Sequence, residues 1–69
     1  MWVTADDGGL VNLDHARQVV VDGKRVIAVL DEQAHVRLIE PTKAAPQHYV
    51  DQIAVGLSNG TLHVDLRHL

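Results

Sequence analysis

Two dense apolar runs flank a short polar break near the middle of the chain. Val19-Val20-Val21 leads into Asp22-Gly23, and Val26-Ile27-Ala28-Val29-Leu30 follows Lys24-Arg25. An Asp-Gly between two such runs predicts a β-hairpin. The β-branched density makes Arg17 to Leu38 the expected organising sheet. Two registers compete for the hairpin. A loop of Asp22-Gly23 suits the turn chemistry but sets Val21 opposite Lys24 and Val20 opposite Arg25. A longer loop, Asp22 to Arg25, pairs Val21 with Val26 and Val20 with Ile27. The second keeps valines against apolar partners, and burial usually decides register, so it is the expected one. Either way, apolar residues fall on both faces.

Before the hairpin, Met1 to Thr4 is β-prone and Asp6-Asp7-Gly8-Gly9 reads as a turn. Leu10 to Leu13 resumes a strand, which Asp14-His15 interrupts as a bend or bulge. After the hairpin, Asp31 to Ala34 is a polar turn. His35 to Glu40 then alternates, with Val36 and Leu38 on one face and His35 and Arg37 on the other. These segments predict an antiparallel meander of about four strands. Pro41 to Pro46 is a connector, with Pro46 suited to an early helix position. Tyr49, Val50, Ile53, Ala54 and Leu57 recur at helical spacing, and Ser58-Asn59-Gly60 is a stop with Asn59 or Gly60 as the left-handed cap. The predicted helix is Pro46 to Leu57. Ile53, Val55 and Leu57 also alternate against Leu62, Val64 and Leu66 around Asn59-Gly60, which fits a hairpin. Helix-compatible Gln47 to Asp51 favours the helix, despite Gly56. Thr61 to Leu66 is a short terminal strand. The expected fold class is α+β, with an all-β small barrel as the alternative.

Composition narrows this reading. Sixty-nine residues make a single small domain, 1-69. A chain this short is marginally stable alone, and without cysteine it has neither disulfides nor thiolate metal sites. Good packing or a partner chain must supply the rest. Aromatic residues make up 3 % of the chain, so the core is aliphatic. The formal charge is −3, from six basic and nine acidic residues, and no basic cluster exceeds Lys24-Arg25. Nucleic-acid binding needs a positive stripe and is disfavoured. The five histidines, if all protonated, would turn the charge to +2. No apolar run reaches the length of a membrane span and the N-terminus lacks a signal-peptide pattern, so a cytoplasmic location without a membrane partner is the expectation.

One pattern spans most of the chain. It comprises early Trp2, Asn12 to Ala16 (N-L-D-H-A), Asp22-Gly23, Val26 to Val29 (V-I-A-V), and an apolar helix before Asp65 to Arg67 (D-L-R). It resembles small uncharacterised bacterial proteins of similar length. The resemblance implies a compact strand-rich fold with a helix near the C-terminus, and it supplies no activity or site residues.

The residues that could carry chemistry are few. His63-x-Asp65-x-x-His68 is the candidate metal motif. On a strand His63 and Asp65 share a face, whereas His68 takes the opposite parity unless the strand ends first. Asp14 and His15 are adjacent, so on a strand they point apart and do not form a catalytic pair. Ser58 lies in a turn without nucleophile-elbow context, and the glycines match no phosphate-binding fingerprint. No catalytic residue, cofactor or enzyme activity is expected. The surplus of apolar surface points elsewhere, because a sheet apolar on both faces needs two covers and one helix provides only one. The expected function is therefore a non-enzymatic domain that forms a homodimer or binds a protein partner, with Val20, Ile27, Leu62, Val64 and Leu66 as interface residues. One alternative is a dimeric regulatory nucleic-acid-binding protein using Lys24, Arg25, Arg37 and Lys43. Another is a small ligand- or metal-binding domain using His15, His35 or His63.

Overall fold

The computed structural model describes residues 1–69 and is α+β, with two three-stranded sheets and one helix. The strands are β1 (Trp2–Thr4), β2 (Leu10–Asn12), β3 (Gln18–Asp22), β4 (Arg25–Val29), β5 (His35–Ile39) and β6 (His63–Asp65), and the helix is α1 (Pro46–Ser58). The meander is the sheet β3-β4-β5, antiparallel throughout. The second sheet has the order β2-β1-β6, with β1 antiparallel to β2 and parallel to β6. The presence of α1 excludes the all-β barrel.

The hairpin takes the register that favours burial. Val20 pairs with Ile27 and Val21 with Val26, and Asp22 pairs with Arg25 beyond them. The loop is therefore Gly23-Lys24. Gly23 sits at φ 63° and no non-glycine residue has positive φ. A glycine in the first of two loop positions is the type II′ arrangement, whose twist suits a hairpin. The turn chemistry and the valine pairing thus agree once the loop moves one residue along the chain.

Asp14-His15 does more than bend one strand. Leu13–His15 form a 3-10 turn capped by Asn12, whose Oδ1 accepts from the Asp14 N–H at 3.0 Å. The turn carries the chain from one sheet to the other, so Leu10–Asn12 and Gln18–Asp22 are separate strands. Asp6 joins the sheets on their other side. Its N–H donates to the Leu38 carbonyl at 2.9 Å, Oδ2 accepts from the Glu40 N–H at 3.0 Å, and Oδ1 pairs with Arg37 at 3.2 Å.

Pro46 occupies the first turn of α1, where its missing N–H costs nothing. At the other end Gly60 has φ 71°. Thr61 N–H donates to the Gly56 carbonyl at 2.9 Å and Gly60 N–H to Leu57 at 3.3 Å, which together make a Schellman cap. Gly56 is buried. A side chain there would meet Met1 Cε at 2.6 Å and Val64 Cγ2 at 3.5 Å, so glycine permits close approach of the helix to the β2-β1-β6 sheet. Tyr49 and Ile53 join Val3, Leu13, Val26, Ala28, Leu38, Ile39 and Leu66 in one core between α1 and the two sheets, aliphatic apart from Tyr49.

Candidate protein-association surface

The backbone decides where a partner could attach. A two-residue hairpin loop is flanked by a hydrogen-bonded pair, so Asp22/Arg25 and Val20/Ile27 exchange backbone bonds. The N–H and C=O groups of Val19 and Val21 then point away from β4. No strand pairs with β3 on that side. The other sheet edges differ. β2 and β6 are three residues each, and Asp6 takes up the C-terminal end of the β5 edge at Leu38 and Glu40. The longest open edge therefore carries three consecutive valines, with Asp22 the only charge within β3.

An apolar groove adjoins this edge. Side-chain alternation places Val19 and Val21 on the same face as Ala28 and Val26, the face α1 covers, and Val20 beside Ile27 on the opposite face. The groove, of about 280 Å³, runs between β3 and α1 and is lined by Leu13, Ala16, Val19, Val50, Ala54 and Leu57, among others. Val50, Ala54 and Leu57 form a helical stripe beside the buried Tyr49–Ile53–Gly56 stripe. Leu57 is 53 % exposed and Val21 40 %, so the lip of the groove and the strand edge are open together.

The interface residues expected from sequence divide between core and surface. Val20 and Ile27 are directly opposed and half-buried, on a sheet face that no helix covers. Leu62 is 81 % exposed. Val64 is half-buried and packs on the core. Leu66 requires correction. At 1 % exposure it belongs to the core, because it lies on the same side as Val64, and that side packs against the core instead of facing out. The pattern missed the residues lining the groove for a physical reason. Val50, Ala54 and Leu57 follow the same period as the core residues, and only the placement of α1 decides which helical stripe is left open.

The chemical candidates are engaged locally. His63 Nε2 lies 2.7 Å from Thr4 Oγ1. Asp65 is gripped by Arg67, with Arg67 Nε to Oδ1 at 3.0 Å and Nη2 to Oδ2 at 2.8 Å, while His68 Nε2 is 3.6 Å from Oδ2. The end of the strand thus brings His68 to Asp65, but no three His, Cys, Asp or Glu residues are arranged to hold a metal ion. The Arg67 hydrogen bonds hold the Asp65 carboxyl well below its ordinary value of 3.8 and raise Arg67 in return. Asp14 is lowered by the hydrogen bond from the terminal amino group, 2.8 Å away. Among the basic residues considered for nucleic acid, Arg25 pairs with Glu40 at 3.3 Å and Arg37 with Asp6, so two of the four are drawn onto carboxylates. No helix is long and apolar enough to cross a membrane. Searches against protein-family models, curated proteins and solved structures find no match, so the reading of this surface rests on the chain's own residues.

Proposed function

We propose that the chain is a non-enzymatic association module that binds protein, a second copy or another chain, along the β3 edge and the adjoining groove. The observation that carries this reading is the coincidence of an unpaired five-residue strand edge with an apolar groove on the same side of the molecule. Strand addition supplies main-chain hydrogen bonds, and the neighbouring groove supplies side-chain selectivity. An edge left this apolar invites pairing unless a charge or proline blocks it, and the outward-pointing residues Val19 and Val21 are neither.

A labelled synthetic peptide with the chain's own Arg17–Lys24 sequence tests the surface. Fluorescence polarisation should rise and saturate as protein is added, and Val21→Lys should abolish the rise while leaving the circular dichroism unchanged. A flat titration by a chain that also sediments as a monomer would overturn the reading.

A further inference from the structure

We infer that the occupant of this surface is a second copy of the chain, joined by antiparallel β3–β3 pairing about a two-fold axis at Val20. This rests on the association reading above and adds to it a partner and a register.

Backbone parity restricts the register. Only Val19 and Val21 offer outward N–H and C=O groups within the valine run, so an antiparallel partner must set odd-numbered residues against odd. Centring on Val20 pairs Val19 with Val21 of the second copy, and Val21 with its Val19. All the outward groups of both valines are then used, in two hydrogen-bonded pairs. Centring on Val19 or Val21 would instead set Val20 against Gln18 or Asp22. In the Val20-centred register Gln18 lies opposite Asp22 of the second copy, a side-chain amide beside a carboxylate, and no like charges oppose each other.

The helices fit the same axis. α1 packs over both β3 and β4. With strands about 4.8 Å apart, a helix midway between them comes within about 10 Å of its copy across the seam. That is the ordinary spacing of packed helices, about 8–10 Å. The stripe facing the seam is Val50, Ala54 and Leu57, with the small Ala54 at its middle, where close approach is easiest. The two grooves become one shared interior. A standard interface takes about 800 Å² from each partner, just under a fifth of this chain's 4483 Å². The pairing is isologous and consumes both β3 edges, so it closes at two copies.

The chain has no cysteine, so Val20→Cys introduces a single thiol. In a non-hydrogen-bonded antiparallel pair the two Cα atoms lie about 4.5 Å apart, within disulfide range. Ile27→Cys lies on the same face one strand further in, so its two copies would be about 14 Å apart and beyond reach. Mild oxidation at micromolar concentration should link Val20→Cys into a covalent dimer and leave Ile27→Cys monomeric on denaturing gels, with reduced samples of both showing native circular dichroism. In sedimentation the cysteine-free chain should run as a dimer, and Val21→Lys should weaken it about tenfold or more. A sedimenting dimer in which Val20→Cys links no better than Ile27→Cys would overturn this seam and leave the association reading standing. A monomer throughout the micromolar range would overturn the second copy as occupant. Peptide capture by that monomer would still support the broader reading.

Discussion

Asp65 concentrates several interactions on one carboxylate. Its Oδ1 accepts the Arg67 N–H and so caps the last 3-10 turn, and both oxygens receive the Arg67 guanidinium. Fork-to-fork geometry of this kind is stronger than a single-point contact. The folded chain therefore keeps Asp65 ionised at a pH where the unfolded chain protonates it. A depressed folded-state value contributes stability that is fully present above the unfolded value and lost as the pH falls through the folded one. Acid unfolding curves should accordingly show a loss of stability beginning below pH 3.8. Asp65→Asn keeps an acceptor for the turn but loses the charge, so it should flatten that part of the curve. An unchanged acid limb in thermal unfolding of the variant would remove Asp65 from the account. At this scale the sequence was legible where one residue type implies one conformation. Asp22-Gly23 marked the hairpin and Asn59-Gly60 the helix stop, and of those two Gly60 takes the left-handed conformation. It was not legible for Leu66, because alternation puts Val64 and Leu66 on one side without saying whether that side meets the core or a partner.

The helix shows what periodicity can and cannot convey. Two adjacent stripes, Tyr49–Ile53–Gly56 and Val50–Ala54–Leu57, have the same spacing, yet the first is buried and the second lines a groove. Ile53→Ala should therefore cost about 2–5 kcal/mol, as for other fully buried aliphatic side chains. Leu57→Ala should cost under about 1 kcal/mol in the monomer. Denaturant titration of dilute protein separates the two, and equal losses would contradict the placement of α1. The rival hairpin reading of Ile53, Val55 and Leu57 fails because Val55 and Leu57 face outward while backbone bonds close the helix end. Gly56, which weakens a helix by propensity, is explained by its neighbours Met1, Thr61 and Val64.

The whole molecule has a small core, with 12 of 69 residues buried. Its radius of gyration, 10.8 Å, matches the value of about 11 Å for a compact chain of this length, so the chain closes on itself without a projecting arm. A core this small makes a lone chain of this length marginally stable. If the copies pair through β3, the melting temperature should rise with protein concentration, because the dimer binds only folded chains. Val21→Lys should remove that dependence. A wild-type melting temperature independent of concentration would count against pairing at this surface.

The sequence alone carried the α+β class, the helix and the valine-to-valine register, because each follows from local period and from which residues must be apolar. Only the tertiary structure divided the strands between two sheets. It placed β6 parallel to β1, with Thr4 against His63 across 59 residues, and it left β3 open along its length while Asp6 took up the end of the β5 edge. Alternation tells a residue which face it occupies but not which strand lies beside it. Edge or centre, the property on which the proposed interface depends, is settled by long-range pairing that no local pattern encodes.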